Sequence, residues 1–302
     1  MKKFILILVI VAFVLGLTYI FVIYHPVLTQ PQAVVVPEKP SSPVLNSNVQ
    51  DLKLEAESVM SMWVNSDGSQ EKILFEKNPS EQLLMASLTK LMTADVVLEN
   101  YNLFDNVTIS SEAVTEGGYF KAGDVVTVKD LLSTMLMGQD NIAAYALSEK
   151  IGPDKFVALM NQKAKDLGLS STYYANSVGS KLANHTTAND LKMLVKWLLK
   201  NQPQIFAISI MPEYKIYDSK GTLRYIVKNA DVLLADHSIS WADQIIGSKL
   251  ANNETAGQCI LVVLKSPDNN GYVINIILKS KDRFGEMKNL VNWVLESYSW
   301  SH

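Results

Sequence analysis

The chain has few residues of the kinds that build disulfides, thiolate metal sites and histidine-based catalytic centres. Its 302 residues include one cysteine, Cys259, and four histidines. A single cysteine excludes an intramolecular disulfide and a metal site made of several thiolates. Basic clusters are also absent, and a formal net charge of -3 gives no indication of nucleic-acid binding. The remaining composition is that of a globular protein with room for one large domain or two small ones.

Several catalytic and ligand-binding motifs are missing as well. The sequence contains no Gly-x-Ser-x-Gly, no His-Glu-x-x-His and no glycine-rich phosphate loop. His25 borders an apolar N-terminal segment and His302 is terminal, so His185 and His237 remain, and both are interpreted as turn or surface residues. We therefore expect no metal and no other cofactor, and a Ser-His-Asp hydrolase is disfavoured.

The N-terminal residues form a long apolar run. Lys2 and Lys3 precede Phe4–Tyr24, 21 residues without a charged side chain, which is long enough to cross a bilayer. The short apolar core and Ala-x-Ala exit of a cleaved signal peptide are not evident. Because the next positive side chain is Lys39, the positive-inside rule places the N-terminus in the cytoplasm. The sequence predicts an uncleaved, single-pass cell-membrane anchor over residues 1–24, with the C-terminal part extracytoplasmic.

A proline-rich segment follows the apolar run. Residues 25–50 combine serine and asparagine with five prolines, namely Pro26, Pro31, Pro37, Pro40 and Pro43. This composition is typical of an extended, semi-rigid spacer. We therefore predict a linker over residues 25–50 and a folded domain over residues 51–302.

Hydrophobic periodicity and turn residues divide the domain into strands and helices. The predicted strands are 56–64, 72–76, 107–109, 125–127, 224–227, 244–247, 258–265 and 272–279. The predicted helices follow Ser87 and Thr127 and then cover 141–150, 154–167, 188–199 and 283–298. Strands at both ends with helices between them indicate an α+β fold, in which the terminal segments share one antiparallel sheet and a helical region is inserted.

One stretch of the first predicted helix requires a chemical explanation. From Leu88 to Leu98 nearly every residue except Thr89, Lys90, Thr93 and Asp95 is apolar, so Lys90 is expected to be buried. A buried lysine is costly unless it is paired or its pKa is lowered. Ser87 precedes Lys90 by just under one helical turn, so the amine can reach the hydroxyl, and the pair has the form of a nucleophile beside its base. If Ser87 opens the helix, its backbone N–H is free to bind an oxyanion.

A second Ser-x-x-Lys occurs at Ser69–Lys72, and the two copies differ in their context. The Ser69 copy follows Asp67-Gly68 and enters a predicted strand, on which residues three apart point to opposite faces. We interpret that copy as a solvated turn. The alternative for the Ser87 copy is an N-cap serine followed by a lysine whose amine reaches solvent, but the apolar surroundings favour the nucleophile.

Across residues 54–298 the sequence resembles the low-molecular-mass penicillin-binding proteins, specifically the serine D-alanyl-D-alanine carboxypeptidases of bacterial cell walls. The stretch Ala86–Thr93 is similar to the nucleophile motif of that family. Further similarities lie at Phe156, Met160-Asn161, Ala164, Leu167-Gly168, Asn176, Gly179, Thr187-Ala188, Asp190, Ala256-Gly257 and Arg283. The resemblance implies a β-lactamase/transpeptidase-like fold with Ser87 in a groove between the sheet and the helices.

Active members of this family combine Ser-x-x-Lys with a Ser-x-Asn and a Lys-Thr-Gly, and only the first motif is intact here. The resemblance places Gln139-Asp140-Asn141 at the second motif. There Asn141 is kept, so its amide is expected to hold the substrate backbone. Gln139 replaces a serine whose hydroxyl would help to move a proton to the leaving group, and an amide does this poorly.

The resemblance places Lys249-Leu250-Ala251 at the third motif. Leu250 lacks the hydroxyl of threonine, and Ala251 adds a methyl group where glycine allows close approach of the substrate. The implied catalytic residues are Ser87, Lys90 and Asn141. The implied substrate-binding residues are Lys249 and Arg283, for a terminal carboxylate, and Asn252, whose N–H is a second oxyanion donor.

Two interpretations follow, and both involve a peptidoglycan stem peptide as partner. In the first, the protein is a serine-type carboxypeptidase that forms an acyl-enzyme on Ser87 and reacts with β-lactams. In the second, Gln139, Leu250 and Ala251 leave a catalytically impaired module that binds peptidoglycan or regulates its metabolism. A class A β-lactamase is disfavoured because no deacylating glutamate can be identified.

Overall fold

The computed structural model describes residues 42–180 and 183–300, together with residues 12, 15 and 17–19. The N-terminal group is helical, and Thr18 Oγ1 donates to the Leu15 carbonyl at 3.0 Å. The rest of the predicted anchor Phe4–Tyr24, and the predicted linker up to residue 41, lie outside the described residues. Among the residues that are described, no helix has the length and apolar character needed to span a membrane.

The strands of the described chain are short, apart from five that form the central sheet. They are β1 Val44–Leu45, β2 Ser58–Asn65, β3 Glu71–Lys77, β4 Leu83–Leu84, β5 Asn106–Thr108, β6 Val125–Thr127, β7 His185–Thr186, β8 Glu213–Tyr217, β9 Leu223–Lys228, β10 Ile245–Asn253, β11 Gly257–Lys265, β12 Gly271–Ser280 and β13 Tyr298–Ser299.

Most helices lie between β3 and β8. They are α1 Lys90–Asn100, α2 Ser111–Val114, α3 Val128–Met137, α4 Asn141–Glu149, α5 Pro153–Asp166, α6 Ala188–Asn201, α7 Gln204–Ser209 and, after the sheet, α8 Arg283–Ser297. Turns of 3₁₀ helix cover Ala86–Thr89, Val232–Ala235 and Ala242–Gln244. Thr127 caps α3 by accepting a hydrogen bond from the Asp130 N–H, and Gly138 ends it, as the sequence predicts.

The central sheet has the order β10-β11-β12-β2-β3, and all its neighbouring strands are antiparallel. Strands from the start of the folded part thus lie beside strands from its end, with the helices inserted between them. The predicted α+β fold, with an antiparallel sheet built from both ends, is therefore confirmed. Strand β10 forms one edge of the sheet, and this position matters for the site described below.

The two faces of the sheet are covered by two separate apolar cores. Along β2, Met60 and Met62 pack into the core formed with the inserted helices, whereas Val59 and Trp63 pack into the core formed with α8. Alternate residues of an extended strand point to opposite faces, so a strand buried on both sides is apolar on both sides. All eight residues of β2 are buried, including the polar Ser58, Ser61 and Asn65.

Strands β1, β4, β7, β8 and β13 have no counterpart among the predicted strands, and two of the predicted strands differ in pairing or length from the observed ones. The predicted strand 224–227 exists as part of β9, but it pairs with β8 in a separate hairpin rather than with the central sheet. The predicted strand 244–247 covers only the start of β10, which begins at Ile245 and continues to Asn253. In both cases the strand pairs with its neighbour along the chain, and whether such a hairpin joins the central sheet depends on tertiary contacts that leave no local signal.

Residues 42–50, which fall in the predicted linker, contact the folded part of the chain. Strand β1 pairs with β13 through Val44 and Leu45. Lys72 Nζ donates to the Pro43 carbonyl at 2.7 Å, and the Trp293 indole donates to the Gln50 carbonyl at 2.7 Å.

Candidate active site

Ser87 lies in the 3₁₀ turn Ala86–Thr89, and α1 begins at Lys90. The expectation that Ser87 opens the α-helix is therefore wrong by one short turn. The chain enters the helix through a tight turn in which Ala86 has a φ of +43°. The α-helix therefore begins only after this turn. In a 3₁₀ turn, residues three apart eclipse one another, which places the two side chains of Ser-x-x-Lys closer than an α-helix does.

The Lys90 amine is fully buried and meets three oxygen atoms. Nζ lies 2.9 Å from Ser87 Oγ, 2.7 Å from Asn141 Oδ1 and 3.1 Å from the Val178 carbonyl oxygen. A charged amine donates to all three oxygens. A neutral amine donates two hydrogens, to Asn141 and Val178, and its lone pair can then accept the Ser87 proton.

Burial lowers the pKa of Lys90 from its usual value to about 7, against the charges of Asp140 and Glu116, which act to raise it. The removal of water from an ammonium group disfavours its charged form. Near neutral pH, the neutral amine is therefore present in a substantial fraction of molecules. A serine hydroxyl 2.9 Å from such an amine has the arrangement of an activated nucleophile and its general base.

The second-motif residues Gln139, Asp140 and Asn141 form the entry to α4. Asn141 accepts from Lys90 through Oδ1 and donates through Nδ2 to the Glu116 carbonyl at 3.1 Å, so both ends of its amide are engaged. Gln139 has a φ of +60°, in the left-handed region, and is half-buried. The structure therefore brings Asn141 to Ser87 and Lys90, with Gln139 at the adjacent bend.

The loop 176–180 supplies the third oxygen around Lys90. Asn176 Oδ1 accepts from the backbone N–H groups of Val178 and Gly179, at 3.1 and 2.7 Å, and these bonds shape the turn that carries the Val178 carbonyl. Gly179 has a φ of +82°, and a Cβ there would lie 2.0 Å from the Ala86 carbonyl oxygen. Only glycine allows this approach to the turn that carries the serine.

The third-motif residues lie on edge strand β10, which packs against the Ser87 turn. Lys249 is almost fully buried, and its Nζ donates to the Leu136 carbonyl at 3.1 Å. Ala251 faces the inserted helices, whereas Leu250 lies in the core on the opposite face of the sheet, next to α8. The side chain of Leu250 therefore points away from Ser87.

The two remaining predicted substrate-binding residues occupy different surroundings. Asn252 is exposed near the end of β10, opposite Gln258. Arg283 begins α8 and donates through one terminal nitrogen to the Ala251 carbonyl at 2.9 Å, while its buried Nε has no hydrogen-bond partner among the described residues. The structure thus brings Arg283 to the third motif and leaves Asn252 at the open end of the strand.

Lys249 lies close enough to Lys90 and Arg283 for their charges to affect its pKa. Burial is the main cause that lowers the pKa of Lys249 well below its usual value, and the charges of Lys90 and Arg283 lower it further. The pKa of Arg283 is lowered chiefly by burial. The buried carboxyl of Asp231 opposes both effects, and it also accepts a hydrogen bond from Ser248 Oγ. An anion that enters this region would therefore be attracted electrostatically.

Sequence reasoning missed three contributors to the surroundings of Lys90. The Val178 carbonyl, which accepts from Lys90, and the Glu116 carbonyl, which accepts from Asn141, are backbone groups. No side-chain pattern predicts their positions. Asp140 could have been found, because an aspartate directly before a predicted helix start is an N-cap signal. Among the described residues, no group of three or more His, Cys, Asp or Glu side chains is arranged to hold a metal ion.

Sequence comparison shows a family relationship. A profile of the D-alanyl-D-alanine carboxypeptidases matches residues 46–282. The chain is 34% identical over 140 residues to the D-alanyl-D-alanine carboxypeptidase DacF of Bacillus subtilis, an alignment that covers 43% of this chain and 36% of that protein. It is 29% identical over 228 residues to a D-alanyl-D-alanine endopeptidase of Pseudomonas aeruginosa, with 72% of each protein covered. The chain thus spans about a third of the length of the Bacillus relative.

Structural comparison agrees with the sequence comparison. A mutant of the Streptomyces K15 DD-transpeptidase superimposes with a TM-score of 0.70 and 26% identity over 82% of this chain and 100% of that chain. A D-alanyl-D-alanine carboxypeptidase of Mycobacterium tuberculosis gives a TM-score of 0.70 at 21% identity, over 84% and 95% of the two chains. At that identity the second similarity concerns the fold alone.

The surroundings of Lys90 predict a pH dependence for the reactivity of Ser87. Because the pKa of Lys90 lies at about 7, the neutral amine that can accept the serine proton is lost as pH falls through that value. We expect the rate of Ser87 acylation by a penicillin to rise about tenfold per pH unit below 7 and to level off above it. Intact-mass spectrometry of samples quenched at successive times between pH 5.5 and 9 measures this rate.

Lys90→Arg is the matched control, because a guanidinium keeps the positive charge but does not deprotonate in proteins. This variant should show no acylation at any of these pH values. A wild-type rate that is independent of pH, or that has a midpoint near 10, would contradict the role of Lys90 as the base.

The position of Leu250 predicts that restoring the hydroxyl of the third motif has a structural cost and no chemical benefit. Leu250→Thr removes apolar volume from the core next to α8 and buries a hydroxyl there, so it should lower the free energy of unfolding by roughly 2 to 4 kcal/mol. It should not accelerate acylation. Urea unfolding and the acylation rate measure the two effects, and Val125→Thr, at an exposed strand position, is the control. A tenfold faster reaction at unchanged stability would refute this assignment.

Proposed function

Since the chain belongs to the D-alanyl-D-alanine carboxypeptidase family of serine peptidases, we propose that it is a serine-type carboxypeptidase that acts on peptidoglycan stem peptides through an acyl-enzyme on Ser87. The observation that carries the proposal is the buried Lys90 amine, 2.9 Å from Ser87 Oγ and with a pKa of about 7. Such an amine can serve as a base at neutral pH, whereas an exposed lysine cannot.

The proposed reaction has two halves. In the first, neutral Lys90 takes the Ser87 proton while Oγ attacks the carbonyl carbon of the penultimate D-alanine. The bond from that carbon to the terminal D-alanine nitrogen then breaks, and the leaving amine takes the proton from Lys90. In the second half, a water molecule gives a proton to Lys90 and attacks the ester, and the proton returns to Ser87 Oγ as the shortened peptide leaves.

The substrate contacts in this proposal follow from charge and position. Lys249 and Arg283 bind the terminal carboxylate of the stem peptide, because both are basic side chains near Lys90 and edge strand β10. Burial lowers the pKa of Lys249, and a bound carboxylate stabilises its charged form. Asn141 orients the Lys90 amine and the substrate backbone. The N–H groups of Ser87 and Asn252 stabilise the oxyanion, and this assignment rests on the resemblance to the family rather than on a measured distance.

A second candidate is a catalytically impaired protein of the same family that binds peptidoglycan without turnover. Three observations support it: Gln139 cannot relay a proton as a serine does, Leu250 lies in the opposite core, and Ala251 adds a methyl group on the substrate side. Each missing hydrogen bond costs roughly 1 to 3 kcal/mol, which corresponds to slow turnover if the losses do not compound.

Incubation of the full-length chain in detergent with a penicillin, followed by intact-mass spectrometry, tests the proposal. We expect a covalent adduct with the mass of the penicillin, and none with Ser87→Ala. A pentapeptide that ends in D-alanyl-D-alanine should then release D-alanine, again only from the protein with Ser87. If a folded wild-type protein forms no adduct and releases no D-alanine, the acyl-enzyme mechanism is wrong and the binding protein is favoured. An adduct without D-alanine release also favours impaired turnover.

We also propose that residues 4–24 anchor the protein in the cell membrane and that the enzyme domain is extracytoplasmic. The support is the charge-free apolar run after Lys2 and Lys3, together with a substrate that lies outside the cytoplasm. We expect the chain to remain with the membrane fraction after alkaline carbonate extraction. The double variant Val9→Asp, Val14→Asp should be released, because charges inside the span oppose insertion. Extraction of the wild-type chain would refute the anchor.

A further inference from the structure

Asp140 makes contacts that neither the catalytic pair nor the substrate contacts explain. Its side chain is almost fully buried between the second motif and the loop that precedes β6. Oδ1 accepts from the Ala143 N–H at 2.6 Å and so caps α4, while Oδ2 accepts from the Tyr119 N–H. One carboxylate thus joins the first turn of a helix to a loop about 20 residues earlier in the chain.

The loop approaches Asp140 closely. A Cβ on Gly118 would lie 2.3 Å from Asp140 Oδ2, so the contact requires glycine at that position. A second tie lies next to it, because Asn141 Nδ2 donates to the carbonyl of Glu116. Loop 116–119 is therefore held against the start of α4 by two consecutive residues, Asp140 and Asn141.

The same two residues face the catalytic pair. Asn141 Oδ1 accepts from Lys90 Nζ at 2.7 Å, so any shift of the first turn of α4 moves an oxygen atom away from the amine. The charged groups around the amine are the carboxylates of Asp140 and Glu116, which stabilise its charged form, and Lys249, whose pKa responds to the Lys90 charge.

We infer that Asp140 is a positioning residue for the acylation of Ser87: its carboxylate ties loop 116–119 to the first turn of α4 and thereby fixes Asn141 Oδ1 against the Lys90 amine. This inference rests on the proposed function. Asp140, the middle residue of the altered second motif, thus acts on Asn141 and loop 116–119 and does not bind the substrate.

A carboxylate is the side chain that fits this position, because two backbone N–H groups approach its two oxygens from different segments. An asparagine of the same shape has one oxygen and one NH₂ group, so it can satisfy only one of these donors and meets the other with a donor. Asp140→Asn therefore breaks one tie without removing volume, and it also removes a negative charge near Lys90.

The experiment measures hydrogen exchange at single amides together with the pH profile of penicillin acylation. In Asp140→Asn we expect faster exchange at Tyr119 or Ala143, and an acylation rate on the high-pH plateau that is at least about tenfold lower. The midpoint of the profile should move to lower pH by about 0.5 to 1 unit, because the charged amine loses a stabilising anion.

Two variants separate positioning from charge and from helix stability. Glu116→Gln removes a charge near Lys90 but keeps its backbone carbonyl, so the midpoint should fall while exchange at Tyr119 stays at the wild-type rate. Thr127→Ala removes the N-cap of α3, so it should lower the melting temperature without moving the midpoint.

Unchanged exchange at both amides in Asp140→Asn, or an unchanged plateau rate and midpoint, would overturn the inference. If the wild-type protein is not acylated at all, the proposed function fails, but the inference is still decided. In that case, carbon-13 NMR of the lysine ε-carbons gives the Lys90 titration directly, and faster amide exchange together with a lowered Lys90 pKa in Asp140→Asn supports the tie. The absence of both changes refutes it.

Discussion

The burial of one lysine amine constrains the rest of this structure. Lys90 lies without contact with water, and its surroundings must supply an oxygen for every hydrogen that the amine carries. Those oxygens come from three segments far apart in sequence: the Ser87 turn, the second motif at Asn141, and the Val178 loop. All three segments therefore meet at a single nitrogen atom. The burial of this nitrogen also lowers its pKa.

The elements of the fold follow largely from local pattern, whereas their pairing does not. The apolar run after Lys90, the cap at Thr127 and the alternating strands near the C-terminus all leave short-range signals, so most of the longer helices and strands, the antiparallel sheet and the burial of Lys90 could be predicted. Shorter elements such as β8 and α7 were missed. The isolation of the β8–β9 hairpin could not be predicted, because it depends on contacts with α3. The Val178 carbonyl is a backbone atom whose direction is set by a turn, and a sequence pattern contains no information on it.

The altered motifs affect geometry and charge differently. The first and second motifs keep the contacts around the amine, whereas Gln139, at the adjacent bend, lacks the serine hydroxyl that would relay a proton. In the third motif Leu250 packs in a core rather than in the cleft, so this position contributes apolar burial and no polar contact. What remains on the cleft side is a pair of basic side chains, Lys249 and Arg283, whose pKa values are lowered chiefly by burial and raised by the nearby carboxyl of Asp231. An anionic ligand would stabilise the charged form of both.

The pairing of β1 with β13 has a mechanical consequence. Tension applied to the chain from its N-terminal side reaches the Lys72 hydrogen bond to Pro43 first, then the residue pairs at Val44 and Leu45, and then the Trp293 hydrogen bond to Gln50, before it reaches β2. These contacts break one after another, whereas β2 is hydrogen-bonded on both sides within the sheet. Residues 43–50 thus lie in series with the sheet, and a load from the N-terminal side falls on their contacts before it falls on the central strands.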